Sequence, residues 1–345
     1  MKMHRNLFEA LCAFENIHRA YLKARRCRKY KDETLRFNRN LENNLASLRE
    51  ELLNGSYRHG GYSQFSVYDS KRRLIKVAPF KDRVVHHVLC NLIEPIFDQG
   101  FIFDSYACRK GKGTHNAVWR LEKFLRSARS KAADGIVYCL KCDISKYFDS
   151  VDHKILIQII RRKIGDKKAM VLIEKIVHST HSSEGKGLPI GNLTSQLFAN
   201  IYLNELDQYV KHKLGCRRYI RYMDDFLILD SDKKRLGDCR NNIADFLNKR
   251  LKLEMHLSKT DIFPIDNGIE FLGYIIYMGH RLLRKSTVKR FCRRMRRYIK
   301  KARLGLMGKE KLNQAMESWL SYSCHADSWQ LRRRIEQDLG LKFRK

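Results

Sequence analysis

The sequence predicts an α+β protein, in which helices and short strands share one chain. Leucines at helical spacing from Leu41 to Leu52 predict a helical beginning. Residues 136–144 form an apolar run of strand length. Residues 219–229 form two shorter apolar arms around Asp224 and Asp225, which is typical of a hairpin. Together these patterns indicate the α+β class.

The first part of the chain begins with helices and then changes character. Residues 1–51 are predicted to be helical, with Gly55 as the stop. Residues 62–85 mix short apolar runs with Lys and Arg, and within them residues 74–79 are predicted to form an extended ribbon. A helix over residues 84–97 is expected to follow.

The second part alternates strands and helices. Residues 136–144 are predicted to form a buried strand that carries an aspartate near its end. Residues 151–178 look mostly helical with a break near Gly165, and residues 193–210 are predicted to form another helix because apolar residues recur every four positions. After the hairpin, residues 271–277 are expected to form a strand.

A strongly basic helix is predicted over residues 288–299. Its apolar stripe faces the core, and Lys and Arg cover the rest of its surface. These cations form either a solvated face or a nucleic-acid clamp, and their density favours the clamp.

Composition narrows the class of partner. The 345 residues are 43% hydrophobic and carry a formal net charge of +33, spread along the whole chain. Such a protein is attracted to a polyanion, and nucleic acid is the default partner, although a membrane surface could attract it too. No run approaches the ~20 apolar residues of a membrane span, and no secretory leader is recognisable, so a cytoplasmic location is expected. The ten cysteines are expected to be reduced, and Cys139 and Cys142 do not suggest zinc because they lie on a predicted strand.

Three aspartates stand where strands end. Asp143 follows one predicted strand, and Asp224 and Asp225 separate the arms of the hairpin. Clustered carboxylates beside apolar strands are costly unless a cation neutralises them, and Mg²⁺ prefers oxygen ligands. Two such ions ~3.5 to 4 Å apart support in-line displacement of pyrophosphate. Taken singly, the pair could be a solvated turn and Asp143 a helix cap.

In context, these residues resemble the reverse transcriptase family over most of the chain. The run from Lys141 to Asp149 looks like its first palm motif, and Tyr222-Met223-Asp224-Asp225 matches its hairpin motif. The resemblance implies that Asp143 and the backbone carbonyl of Ile144 bind two Mg²⁺ ions, with Mn²⁺ as a substitute. Asp224 would be the second metal ligand and Asp225 a less direct one. Phe148 would exclude the ribose 2′-hydroxyl, which implies a DNA product.

Flanking motifs extend the resemblance. Residues 257–260 resemble the motif whose lysine, here Lys259, is a candidate general acid, although an ordinary surface lysine would give the same pattern. Residues 271–274 resemble the primer grip. Residues 73–83 resemble the fingers motif, and its cations Arg73, Lys76 and Arg83 would contact the incoming triphosphate, with the order of their contacts left open.

The resemblance implies a right-hand polymerase with fingers, a ferredoxin-like palm built from an antiparallel sheet and helices, and a short helical thumb. Expected boundaries are 1–60 for an N-terminal helical segment, 61–135 for the fingers with a contribution from 151–185, 136–283 for the palm, and 284–345 for the thumb. The chain is expected to lack room for an RNase H, integrase or HNH endonuclease domain.

One motif departs from the retroviral and intron-type pattern, which has Gln-Gly followed by Ser-Pro. Here Ile190 precedes Gly191, and Gln196 follows Ser195. This combination resembles the reverse transcriptases of diversity-generating retroelements, which copy a template RNA with frequent errors at adenines. Ile190 would remove a polar contact beside the incoming nucleotide and template base, so that Ile190, Gly191 and Gln196 are assigned to the nucleotide site.

The same resemblance implies partners and a setting. They are a template RNA, a primer or cDNA, dNTPs, and a small basic accessory protein that assembles as a ring, in a bacterial or phage-encoded system. A basic helix around residues 19–31 could bind either the accessory protein or the RNA. Alternatives are an intron-type, CRISPR-associated or defence reverse transcriptase, and a non-catalytic RNA-binding relative, which would have no reason to keep three clustered carboxylates.

Overall fold

A computed structural model describes residues 3–68, 72–132, 134–180 and 185–341. Helices dominate it. In chain order, its α-helices are α1 (Phe8–Cys12), α2 (Phe14–Ala24), α3 (Asp32–Asn38), α4 (Leu41–Leu53), α5 (Phe80–Asp98), α6 (Thr114–Arg129), α7 (Tyr147–Ser150), α8 (His153–Arg161), α9 (Lys167–Val177), α10 (Leu193–Gln208), α11 (Lys233–Leu251), α12 (Lys285–Arg303), α13 (Lys309–Ser323) and α14 (Trp329–Leu339).

The strands are short and form three sheets. They are β1 (Ser63–Tyr68), β2 (Arg72–Val77), β3 (Tyr138–Cys142), β4 (Tyr219–Tyr222), β5 (Asp225–Asp230), β6 (Asp261–Pro264), β7 (Ile269–Phe271), β8 (Tyr274–Ile276) and β9 (Arg281–Leu283). β1 and β2 form an antiparallel ribbon, and a four-stranded sheet has the order β4-β5-β3-β6. β7, β8 and β9 form an antiparallel meander. Mixed helices and antiparallel strands confirm the α+β class.

The chain divides into two compact units, with the boundaries passing through β3 and β5. The first unit consists of residues 1–110, 142–226 and 238–260, and the second consists of residues 111–141, 227–237 and 261–345. In the first unit, α5 is the central helix, because both α2 and α10 pack against it. Half of its ten buried residues are Val, Leu or Ile and two more are Phe, so this helix supplies much of the apolar core.

Most of the predicted elements are present with shifted ends. The ribbon over residues 74–79 is β2, the break near Gly165 separates α8 from α9, and Gly55 follows the end of α4 with φ +68°. The helix predicted from residue 84 already begins at Phe80. The helix predicted over 193–210 is α-helical to Gln208 and continues as a π-helical turn.

Three expectations were wrong in detail. The strand predicted over residues 271–277 is two strands, because Leu272 and Gly273 have φ of +51° and +89° and turn the chain. The strand predicted over 136–144 starts at Tyr138, because the Asp134 carboxylate accepts a hydrogen bond from the Ile136 backbone N–H and holds that residue in a turn. The basic helix expected around residues 19–31 ends at Ala24.

The basic helix predicted over residues 288–299 is longer than expected. α12 runs from Lys285 to Arg303, and its buried residues, Phe291 and Met295, lie on the predicted apolar stripe. The Phe291 ring stacks on Trp319 of α13 at a centroid distance of 4.1 Å, so the stripe is core within the second unit. Among the described residues, no helix combines the length and the hydropathy needed to cross a bilayer.

Candidate active site

Asp143 is the first residue after β3, and a neighbouring segment fixes its backbone. The Ser145 N–H donates to the Glu254 carbonyl, and the His256 N–H donates to the Asp143 carbonyl, each at 2.8 Å. Asp143 itself is 7% exposed. Its side chain is therefore nearly buried within the first unit.

The backbone carbonyl of Ile144 points away from this segment. Ile144 and Met255 face each other as an antiparallel bridge, and the hydrogen bonds on either side of the pair come from their neighbours. In such a pair, the pair's own N–H and C=O groups point outward. The Ile144 carbonyl can therefore serve as the ligand that the sequence predicted.

Asp224 lies in the turn between β4 and β5, and Asp225 is the first residue of β5. Met223, which precedes them, has φ +57°. This left-handed conformation is uncommon outside glycine and makes a tight turn of the Tyr222–Asp225 segment. The hairpin predicted from the sequence is thus confirmed, with Asp224 at its tip.

Electrostatics link Asp224 to Asp143. Burial raises the pKa of the Asp224 carboxyl above its usual value, and the charge of Asp143 raises it further, while Lys259 and Arg73 lower it. The Lys259 Nζ lies 2.5 Å from Oδ2 of Asp143. Two carboxylates and two cations therefore share one small region of the first unit.

The donor set fits a hard divalent ion that is completed by substrate oxygens. In the described part of the chain, no three His, Cys, Asp or Glu side chains are arranged to hold a metal by themselves. Mg²⁺ is usually bound through one or two carboxylates together with substrate phosphates. Asp143, Asp224 and the Ile144 carbonyl supply such oxygens, and a cation between the two carboxylates would remove the repulsion that raises the Asp224 pKa.

The Ile190–Gly191 loop lies against β2. The Lys76 N–H donates to the Ile190 carbonyl at 3.0 Å. Gly191 has φ +119°, and a Cβ there would lie 3.0 Å from Cγ2 of Ile75 and 3.1 Å from the Lys76 carbonyl. Glycine is therefore required for this close approach, which brings Ile190 beside the ribbon that carries Arg73 and Lys76.

Phe148 is joined to the same loop. Its carbonyl accepts from the Leu188 N–H at 2.7 Å, and its ring packs at 5.5 Å from the ring of Tyr147. A cleft of about 240 Å³ opens here. It is lined by Leu74, Lys76, Asp149, Thr180, Lys186, Gly187, Leu188, Pro189 and Ile190. Gln196 is in the first turn of α10 and is half-buried.

The three predicted triphosphate cations have different surroundings. Arg73 is exposed on β2, and its charge lowers the pKa of the Asp224 carboxyl. Lys76 is half-buried and lines the cleft beside Ile190. Arg83 pairs instead with Glu33 of α3, and its guanidinium lies 5.5 Å from the centroid of the Phe80 ring. The charge of Arg73 therefore acts on the Asp224 carboxyl, whereas Arg83 is engaged by α3.

The predicted primer-grip segment lies in the second unit and is a turn. The Gly273 carbonyl accepts from the Tyr322 hydroxyl at 2.9 Å, and the Tyr274 hydroxyl donates to the Tyr322 carbonyl at 3.0 Å. These bonds attach the turn to α13, which lies in the stretch predicted to be thumb.

One pair of residues behind the site was not assigned from the sequence. Arg221 of β4 and Asp207 of α10 form a fully buried ion pair with an N–O distance of 2.6 Å. The available signal was the arginine in the middle of an otherwise apolar strand, because a buried guanidinium requires an acidic partner. Nothing in the spacing identified Asp207 as that partner.

Comparisons with known proteins show the family of this chain. The family model described as reverse transcriptase (RNA-dependent DNA polymerase) matches residues 65–276. Protein YkfC of Escherichia coli (strain K12) is 29% identical over 283 residues, covering 70% of this chain and 72% of that protein. Group II intron-encoded protein LtrA of Lactococcus lactis subsp. cremoris is 26% identical over 294 residues, covering 64% of this chain and 46% of that protein.

A structural likeness supports the fold alone. Apo telomerase from Candida tropicalis superimposes with a TM-score of 0.51 at 13% identity, covering 68% of this chain and 50% of that one. The chain thus spans about half the length of LtrA and of this telomerase. The fold is that of a right-hand polymerase, and because the family model covers more than half of its residues, the chain belongs to the reverse transcriptase family.

Proposed function

We propose that this protein is an RNA-directed DNA polymerase that extends a primer by nucleotidyl transfer with two divalent ions, Mg²⁺ in the first instance. The observation that carries the proposal is the electrostatic coupling of Asp143 and Asp224, with Lys259 beside the first. Asp143, Asp224, Asp225 and the Ile144 carbonyl would hold the ions. Bound Mg²⁺ supplies positive charge to the attacking hydroxyl and the leaving pyrophosphate.

The protein's own groups have separate roles in this proposal. Asp143 and Asp224 fix where the ions bind, Arg73 and Lys76 provide positive charge for the triphosphate, and Phe148 blocks the ribose 2′-hydroxyl. The substrates are a template RNA, a primer and dNTPs. The palm is assigned to residues 136–283, between fingers and thumb with the boundaries given above.

Primer extension on poly(rA)/oligo(dT) tests the proposal. Wild-type protein is expected to incorporate dTTP with Mg²⁺, and Asp224→Asn is expected to lower the rate by about 10³-fold or more. Asp245→Asn is the matched control, because Asp245 is an exposed carboxylate that pairs with Lys249 on α11. Absence of metal-dependent extension on any RNA template, with folded protein, would refute the polymerase assignment.

A finer proposal concerns fidelity. The apolar Ile190 lies beside Lys76 and the cleft, in place of an amide side chain. Without an amide at position 190 to check pairing geometry, selectivity would depend on base pairing and would be weakest at adenines. This supports an enzyme of the diversity-generating type, whose cDNA carries changes at template adenines. An accessory protein that is small, basic and ring-forming and a cytoplasmic setting belong to the same proposal.

An intron-type enzyme is an equal second candidate, because the similarity to group II intron-encoded protein LtrA supports it. Misincorporation separates the two. A diversity-generating enzyme should misincorporate opposite template adenine well above the other three bases, and Ile190→Gln should reduce that excess while Ile190→Val retains it. An intron-type enzyme should copy all four bases with similar accuracy in the wild type. An adenine excess that Ile190→Gln leaves unchanged would disprove the role of Ile190.

A further inference from the structure

A buried arginine lies directly behind the turn that carries Asp224. Arg221 is on β4, two residues before Met223, and its side chain has no exposed surface. A guanidinium has five N–H donors and no acceptor. Burying it is costly unless every donor has a partner, so the identity of the partners indicates what the residue is for.

Each of the five donors has an acceptor. Nε and Nη2 donate to the two oxygens of Asp207 at 2.7 and 2.6 Å. Nη2 also donates to the Ser105 hydroxyl at 3.1 Å. Nη1 donates to Oδ1 of Asn200 at 3.2 Å and to the Met223 carbonyl at 3.1 Å. One of the five bonds therefore reaches the backbone of the catalytic turn.

The bond to Met223 acts where the turn is most strained. Met223 has φ +57°, a conformation that costs a non-glycine residue roughly 1 kcal/mol. Its carbonyl belongs to the peptide that leads into Asp224. A donor fixed on this oxygen holds the orientation of that peptide, and with it the direction in which the Asp224 side chain leaves the turn.

The backbone of Arg221 is held independently of its side chain. Its N–H donates to the Asp104 carbonyl at 2.9 Å, and its carbonyl accepts from the Tyr106 N–H at 3.0 Å. The strand therefore has its own anchor. The guanidinium instead connects the Asp224 turn to α10.

That helix also supports the other catalytic motifs. Asn200 and Asp207 lie on α10, which begins two residues after Gly191. The Ala199 carbonyl of the same helix accepts from the Tyr147 hydroxyl at 2.6 Å, next to Phe148. A single helix thus contacts the segment of the proposed steric gate and, through Arg221, the Asp224 turn.

We propose that Arg221 is a positioning residue for the catalytic turn, which it ties through Asp207 and Asn200 to α10 so that Asp224 is presented at a fixed place relative to Asp143. This inference rests on the proposed polymerase function. It predicts that loss of the guanidinium fork displaces Asp224 without removing any group that contacts substrate.

Arg221→Lys tests this directly. Lysine keeps the positive charge beside Asp207 but has three donors on one nitrogen, so it cannot serve the carboxylate and the turn together. Primer extension is expected to show kcat lowered by about 10²-fold, the scale of an ångström-sized misplacement, with KM for dTTP nearly unchanged. Hydrogen exchange, which does not depend on activity, is expected to speed up in peptides that contain residues 222–226.

Tyr219→Phe is the matched control. The Tyr219 hydroxyl donates to Oδ1 of the same Asp207 at 2.7 Å but does not reach the turn. Its removal should lower thermal stability through the loss of one hydrogen bond to Asp207, while leaving kcat and the exchange of residues 222–226 close to wild type. Asn200→Ala serves if Arg221→Lys does not fold, because it removes one acceptor of Nη1 and leaves the Asp207 pair. A smaller loss of kcat with the same pattern is then expected.

Measurements on these variants separate a positioning role of Arg221 from a purely structural one. A loss of kcat and faster exchange confined to the Arg221 or Asn200 variant would support the proposal. An unchanged kcat in folded Arg221→Lys, or equal losses in Tyr219→Phe, would overturn it in favour of a purely structural pair. Wild-type protein without extension activity would refute the polymerase function instead, and the exchange of residues 222–226 would still decide whether Arg221 holds the turn.

Discussion

Lys259 Nζ lies 2.5 Å from Oδ2 of Asp143, so an ammonium group stands beside a proposed metal ligand. The Lys259 side chain is 39% exposed, whereas that of Asp143 is 11% exposed. The lysine therefore has room to turn towards solvent when a divalent ion binds, whereas the carboxylate is mostly enclosed. This relationship connects the general-acid role predicted for Lys259 to the metal site.

Lys259→Met should affect metal binding and turnover in opposite directions. Without the competing ammonium, the protein should bind Mn²⁺ in the absence of nucleotide about tenfold more tightly, equivalent to roughly 1.4 kcal/mol. If the lysine also protonates pyrophosphate, kcat should fall by about 10²-fold. Calorimetric titration and primer extension measure the two effects. Lys249→Met, at an exposed pair on α11, is the control. Unchanged Mn²⁺ affinity would show that Lys259 does not compete for the site.

Asp224→Asn should abolish activity and yet stabilise the metal-free protein. Burial and the Asp143 charge raise the pKa of Asp224, so its ionised form is disfavoured in the fold. The neutral amide removes that cost, and a gain of about 1 kcal/mol should raise the Tm by about 1 to 2 °C for a chain of 345 residues. Mg²⁺ should raise the Tm of the wild type more than that of the variant. A lower Tm for metal-free Asp224→Asn would contradict the account.

The sequence was more informative about residues in short local motifs than about contacts between separate elements of the fold. Asp143, Asp224 and Phe148 could be proposed from the sequence because each lies in a short motif whose chemistry is local. The Phe271–Tyr274 segment was predicted to lie in a single strand, because a leucine gives no sign that its backbone will be left-handed, as that of Leu272 is. The Arg221 pair was missed for another reason: its partner is 14 residues away on a different element, and only folding brings them together.

Phe148→Val should relax discrimination against ribonucleotides. The Phe148 ring is half-buried beside Tyr147, and its backbone is fixed to Leu188, so a smaller side chain would open space without moving the chain. Incorporation of rTTP relative to dTTP should increase by about 10²-fold, the range that one apolar contact can supply. The rate with dTTP is the internal control. An unchanged ratio of rTTP to dTTP incorporation would remove Phe148 from the nucleotide site.

His86 should make the protein sensitive to acid. Burial, together with the charges of His59, His87 and Arg83, lowers the pKa of this histidine to about 3. The unfolded chain binds a proton near pH 6.5, which the folded chain does not bind until about pH 3. The contribution of His86 to the free energy of unfolding is therefore complete above pH 6.5. It is lost as the pH falls from 6.5 towards 3, by about 1.4 kcal/mol per pH unit. His86→Gln should reduce the slope of unfolding free energy against pH, measured with urea between pH 6.5 and 4.5, by about one proton. An identical slope would refute the prediction.

Gly273→Ala should disrupt the turn that resembles the primer grip, and the chain contains a closely matched control. Gly273 has φ +89° and Gly279 has φ +85°, so an alanine meets the same backbone strain at either position. The difference is space, because a Cβ at Gly273 would overlap the Tyr322 hydroxyl, whereas a Cβ at Gly279 meets no atom within 4 Å.

The overlap would break the bond between Tyr322 and the Gly273 carbonyl and push the turn away from α13. Gly279→Ala should cost about 1 kcal/mol in unfolding free energy through strain, and Gly273→Ala should cost about 1 to 3 kcal/mol more through overpacking. If the turn grips the primer, Gly273→Ala should also raise KM for primer-template while Gly279→Ala does not. Tyr322→Phe then separates the causes, because it removes the hydroxyl that the new Cβ would strike. Combined with Gly273→Ala it should recover part of the lost stability. Equal behaviour of the two alanine variants would show that the Tyr322 contact has no role in holding this turn.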